Sequence, residues 1–148
     1  MPIYMSLSID GIEGDGSVNQ LHKGEINVIS FSWGISTGEA ASGGGGGTGK
    51  AQFDDLVIVK QMDQASPRLM LACSSGRHSK FALFKIVSTN EDGRPNGNNV
   101  FLKMEDVVVE SVRQMGHENG GDFPTEQITL DGARVSVFQV GPATGNQG

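Results

Sequence analysis

The hydrophobic pattern starts within the first turn's worth of chain. Ile3, Met5, Leu7 and Ile9 fall on one side of an extended segment and Tyr4, Ser6 and Ser8 on the other, the two-residue period of a half-buried β-strand. After a turn-rich stretch from Asp10 to Asn19, residues 25–36 alternate again, with Ile29, Phe31, Trp33 and Ile35 expected on the core face and Ser30, Ser32 and Gly34 on the other. Between Gln52 and Lys60 both sides are partly apolar. Phe53, Val57 and Val59 oppose Leu56, Ile58 and Lys60, which predicts a strand covered on both faces, by core on one and by something else on the other.

The period then changes. Ser66-Pro67 followed by Arg68 to Ser75 and Gly76 reads as one short helix, with Ser66 as cap, Pro67 in the first turn and Gly76 at a left-handed exit. Alternation returns at Phe81–Val87. The hydrophilic run Asn90–Gly97 predicts a turn into Val100–Met104, and Val107–Val112 is a further strand. Gly116–Asp122 interrupts before Thr125–Leu130, Asp131-Gly132 is expected to turn the chain, Val135–Val140 closes the series, and the tail 141–148 is expected to fray. Seven or eight strands and one helix predict a mainly β fold over a single domain 1–148, a β-barrel or sandwich with one short attached helix.

Composition narrows the function. With 11 Lys+Arg against 17 Asp+Glu the formal net charge is −6, which argues against neutralising nucleic-acid phosphates or anionic lipid. No apolar run is long enough for a membrane span, and the N-terminus has neither a basic segment nor a hydrophobic signal region, so synthesis in the cytoplasm without a signal peptide is expected. Cys73, the single cysteine, excludes an intrachain disulfide and any cysteine cluster for metal. Of the 22 glycines, eight crowd into Gly34–Gly49, so the excess is local and marks a flexible loop over residues 38–49.

Candidate chemistry is sparse. Gly44-Gly45-Gly46-Gly47-Thr48-Gly49-Lys50 has phosphate-loop spacing, but Ala51 lacks the hydroxyl that would hold Mg²⁺, and a strand follows where a helix is required. His22, His78 and His117 are too far apart for a zinc motif. Asp54 and Asp55, as neighbours in an extended chain, point to opposite faces and cannot work as an acid–base pair. Cys73 lies on the apolar side of the helix, the setting of a structural thiol. No catalytic, cofactor or metal residues are assigned, and the chain is expected not to be an enzyme.

Several strings together carry a resemblance. Ser30-Phe31-Ser32-Trp33-Gly34, the glycine loop ending Gly49-Lys50, and the run Met62-Asp63-Gln64-Ala65-Ser66-Pro67 through Gly76-Arg77-His78 occur in that order. With Ile9-Asp10-Gly11-Ile12-Glu13-Gly14, His22–Ile26, Leu102–Val112 and Gly120-Gly121-Asp122 before Pro124-Thr125-Glu126, the chain resembles the hemolysin-coregulated protein (Hcp) family, the tube protein of bacterial type VI secretion. It departs at Leu130-Asp131-Gly132, where such proteins commonly carry Leu-Asn-Phe, and at Val140, where an aromatic is frequent.

The resemblance implies a compact β-barrel of two packed antiparallel sheets with one short flanking α-helix, hexameric rings stacked into a hollow tube inside a contractile sheath, a spike protein at its tip, effector proteins in its lumen, and export to the extracellular space or a target cell. On that footing the loop residues Gly43, Gly44, Gly45, Gly46, Gly47, Thr48 and Gly49 are expected to stack rings, Ser30 and Ser32 to face the lumen, and Phe53, Leu56 and Ile58 to lie at the subunit interface. The competing expectation for Ser30 and Ser32 is a core-facing position. The alternative function is a monomeric small-ligand-binding β-barrel, disfavoured because Phe31, Trp33, Phe53, Phe81 and Phe84 suffice to fill a small barrel.

Overall fold

The computed structural model describes residues 3–15, 24–37, 51–92, 94–116, 118 and 123–140. In chain order these form β1 (Ile3–Ile9), β2 (Ile26–Asn27), β3 (Ser30–Ser32), β4 (Ile35–Thr37), β5 (Ala51–Phe53), β6 (Leu56–Gln61), α1 (Ser66–Ser75), β7 (His78–Thr89), β8 (Pro95–Met115) and β9 (Thr125–Val140). Seven strands make one antiparallel sheet in the order β2-β1-β7-β8-β9-β6-β3, and β4 and β5 pair as a separate ribbon.

The two edges of the large sheet are consecutive pieces of one segment. β2 pairs with β1 and β3 with β6, and between them Val28 N–H donates to Met5 O at 3.0 Å and Ile29 N–H to Val59 O at 2.7 Å. Residues 26–32 therefore step from one end of the sheet to the other and close its curl into a barrel, which removes most of the open edge.

Inside the curl the alternation holds. Leu7 and Ile9 on β1, Ala82 and Phe84 on β7, Leu102 and Met104 on β8, Ile128 and Leu130 on β9 and Leu56 and Ile58 on β6 are all buried. The core is aliphatic rather than aromatic. Of the five rings expected to fill it, only Phe84 is buried; Phe31, Phe53 and Phe81 stay 43, 47 and 37% exposed, and Trp33 is half-buried. Ile29 and Ile35, expected on the core face, are likewise exposed, because 25–36 is not one strand but three short ones that change partner.

One expected turn is absent, and two expected strands are one. Asp131-Gly132 lies within β9, whose pairing with β8 runs from Met115↔Thr125 through Val107↔Gly132 to Asn99↔Val140. Val100–Met104 and Val107–Val112 are parts of the single β8, which carries an irregularity at Val109/Ser111 and a left-handed Asp106 at φ 58°. A long partner satisfies the backbone of both strands, and this outweighs the local turn preference of an Asp-Gly pair.

Helix α1 begins and ends as expected, but Ser66 does not cap it. The N-cap is Ala65, whose N–H donates to Asp63 Oδ1 at 2.8 Å, while Ser66 is buried in the first turn. At the other end Gly76, at φ 67°, takes the left-handed cap, and Arg77 N–H donates to Ala72 O at 3.2 Å. Leu69 and Ala72 bury the inner face, and Cys73 Sγ, half-buried, lies 3.6 Å from Glu110 O.

Candidate functional site

Register places the two candidate serines on a defined surface. Ser30 lies opposite Val59, and Ser32 opposite Val57; those valines lie opposite Gln127 and Thr129 of β9, which in turn face Arg113 and Ser111 of β8. Directly paired residues share a face. Two rows therefore cross four strands, Ser30–Val59–Gln127–Arg113 and Ser32–Val57–Thr129–Ser111, on the side away from the core-facing Ile58 and Ile128. Ser30 and Ser32 are exposed, so the core-facing alternative does not hold. The surface is hydroxyl- and amide-rich, with two half-buried valines and one cation.

The interface candidates divide. Phe53 is exposed; it pairs across the ribbon with Ile35, itself 54% exposed, and stacks on Trp33 with ring centroids 6.1 Å apart. Leu56 and Ile58 are a correction: both are completely buried within the chain, and β6 runs between β9 and β3 with no free edge. Their side chains belong to the core, and the outward pair on that strand is Val57 and Val59. Gly43–Gly49, expected to stack rings, lie outside the described residues, as do the tail 141–148, His22 and His117.

Past the serine rows, three carboxylates that sequence order keeps apart come together. Asp55, Glu110 and Asp131 have oxygens within 4.8 Å of one another. A hydrogen bond with Asp55, then burial and the charges of Asp55 and Asp131, raise the Glu110 carboxyl above its ordinary value. Burial, then the charge of and hydrogen bond with Asp55, raise Asp131. Asp55 thus has carboxylate neighbours, though not Asp54. Both Glu110 and Asp131 are exposed, and three acids without a donor of another kind define no cofactor. His78, 60% exposed, makes a hydrogen bond of 2.8 Å between Nδ1 and Asp106 Oδ1.

A buried polar network lies beneath the serine surface. Lys60 and Glu126 are both fully buried, with Lys60 Nζ 2.7 Å from Glu126 Oε2. Lys60 also donates to Gln61 O at 3.0 Å and Asp63 Oδ1 at 2.8 Å, while Glu126 accepts from Ser66 Oγ at 2.5 Å and Gln114 Nε2 at 2.9 Å. Burial alone would raise the Glu126 carboxyl; the hydrogen bonds from Gln114, Lys60 and Ser66 and the Lys60 charge outweigh it, so the net displacement is downward. The network ties β6, β8 and β9 to the start of α1. Its signal is visible in the chain, since Lys60 alternates with Leu56 and Ile58 and Glu126 with Ile128 and Leu130.

A sheet closed by its own chain around an aliphatic core, with one docked helix and a polar strand surface, defines a small β-barrel protein. The family described as "Type VI secretion system effector, Hcp" matches residues 5–137. The chain is 37% identical over 138 residues to protein hcp1 of Pseudomonas aeruginosa, covering 93% of this chain and 83% of that protein. Among solved structures, one titled as a type six secretion system protein superposes with a TM-score of 0.80 at 26% identity, covering 95% of this chain and 93% of that one. Hcp1 from Salmonella typhimurium superposes with a TM-score of 0.75 at 26% identity, covering 94 and 93%. The chain belongs to the Hcp family of type VI secretion proteins.

Proposed function

We propose that this chain is the tube subunit of a bacterial type VI secretion system, a non-catalytic structural protein that closes into hexameric rings and stacks them into the expelled inner tube. The observation that carries the proposal is the four-strand surface through Ser30 and Ser32. A channel passing folded cargo of varied shape is best walled by short polar side chains without dense charge, and these rows supply them.

Around the ring, exposed apolar side chains on a small barrel mark contact with a neighbour. Phe53 and Ile35 on the ribbon, with Ile29 nearby in sequence, are the residues assigned to that contact. The glycine segment Gly43–Gly49 is assigned to ring stacking, where bare backbone allows close approach. The expected partners are further copies of the chain, a spike protein at the tip, the contractile sheath, and effectors in the lumen. The whole of 1–148 serves as one tube domain, and the protein is exported by the system it builds.

Negative-stain microscopy and light scattering of the purified protein test the proposal. Annular particles of about six subunits are expected; strictly monomeric behaviour across a wide concentration range would overturn it. Replacing Gly43–Gly47 with a rigid, bulky segment is expected to weaken stacking while leaving rings intact, and unchanged stacking would remove the loop from the mechanism.

A further inference from the structure

The outer side of α1 is unusual for a helix facing water. Its exposed residues include Pro67, Arg68, Met70, Leu71, Ser74 and Ser75, with Met70 48% and Leu71 66% exposed, and no acidic residue lies anywhere in Ser66–Ser75. A solvated helix face ordinarily mixes charges of both signs. Here two large apolar side chains accompany unopposed positive charge.

Beside this face lies a groove of about 310 Å³ lined by Gly11, Arg68, Leu71, Ala72, Ser75 and Arg77. Arg68, Leu71, Ala72 and Ser75 follow the i, i+3, i+4, i+7 stripe of the helix, so they form one continuous wall. Arg77 follows the Gly76 cap and lays its guanidinium against Gly11, whose φ of +89° and missing Cβ leave room for it. The turn after β1 supplies the opposite wall. Among the described residues neither arginine side chain forms an ion pair or hydrogen bond, although Asp10 and Glu13 flank Gly11 in sequence.

We propose that this groove docks an acidic, leucine-bearing peptide segment of a partner protein. Two free guanidinium forks match carboxylates in bidentate fashion, and an exposed leucine between them matches an aliphatic side chain. The chain's net charge of −6 and the presence of only two cations at the groove disfavour a nucleic-acid or anionic-lipid surface. Arg68 stands in the first turn of the helix and Arg77 just past its left-handed cap, and the helix between Arg68 and Ser75 is roughly 10 Å long. An extended segment spans that distance between acids about four residues apart, with its leucine midway over Leu71.

The probe is a fluorescein-labelled, end-blocked Glu-Ala-Leu-Ala-Glu peptide, measured by fluorescence anisotropy with the full chain, against Gln-Ala-Leu-Ala-Gln. The acidic peptide is expected to bind saturably and about tenfold tighter than its neutral counterpart, with affinity falling as salt rises. Arg68→Ala and Arg77→Ala are each expected to weaken it about tenfold, and Arg68→Lys and Arg77→Lys by less. No saturable binding, equal affinity for the two peptides, or indifference to both alanine variants would overturn the proposal. Ring formation by the arginine variants, followed by light scattering, is expected to match the unaltered protein, so failure here is separable from failure of the tube function.

Discussion

Replacing Lys60 by Met removes the cation from the buried network between the end of β6 and the start of α1 while keeping a side chain of similar length. Lys60 and Glu126 are both fully buried, and all three ammonium donors are used, on Gln61 O, Asp63 Oδ1 and Glu126 Oε2. In Lys60→Met the Glu126 carboxylate keeps only the neutral donors Ser66 and Gln114, and Asp63 Oδ1 keeps only the Ala65 N–H. An uncompensated buried charge of this kind costs about 3 kcal/mol. With a urea dependence of about 2 kcal/mol per M, the unfolding midpoint followed by circular dichroism falls by about 1.5 M. Neutralising both partners in Lys60→Met/Glu126→Gln is expected to cost at least about 1 kcal/mol less than the sum of the single changes, because the stranded charge is gone. A midpoint shift below about 0.3 M for Lys60→Met, or strict additivity in the double variant, would refute the assignment of this pair as a coupled, desolvated unit. A carboxyl held below its unfolded value near 4.3 adds stability above that pH and loses it as pH falls through the lower folded value, so the difference between wild type and Glu126→Gln should shrink progressively as pH falls from about 4.3 through that folded value.

The carboxylate cluster carries the opposite sign. Glu110 is raised chiefly by its hydrogen bond with Asp55 and Asp131 chiefly by burial, with carboxylate repulsion added to both, so their ionised forms destabilise the fold at neutral pH and the cost is relieved as pH falls through their folded values. Glu110→Gln is expected to stabilise the protein at pH 7 by a few tenths of a kcal/mol after solvent screening, and to flatten the gain that wild type shows on mild acidification; urea titrations at the two pH values measure both, and destabilisation at pH 7 would count against the repulsion. At the helix exit, Gly76→Ala forces a Cβ into the left-handed region at φ 67° and is expected to cost about 1 kcal/mol, read from the same urea midpoint, with no change expected if the cap relaxes freely.

Much of the local structure is legible in the chain. The two-residue period locates the strand at Ile3–Ile9 and most of β6, although the stretch read as one strand from Gln52 to Lys60 is split at Asp54-Asp55 into β5 and β6, and Pro67 with Gly76 brackets the helix, because side-chain alternation and the conformational limits of proline and glycine act over a few residues. The same alternation separates Lys60 from Val57 and Val59 and puts Ser30 and Ser32 opposite Phe31. Order and spacing of motifs across the chain are sufficient to indicate the Hcp family.

Which strand lies beside which is a different matter, since pairing joins residues far apart in sequence. Only the assembled sheet decides that Asp131-Gly132 continues a strand rather than turning, because β8 offers it a partner along its whole length. Closure through Val28 and Ile29 splits residues 25–36 and leaves Ile29, Phe31 and Ile35 exposed, while Leu56 and Ile58 sink into an aliphatic core. Lys60 with Glu126, and Asp55 with Glu110 and Asp131, meet across strands for the same reason. Local periodicity determines what each segment can be; long-range backbone pairing determines what each side chain faces.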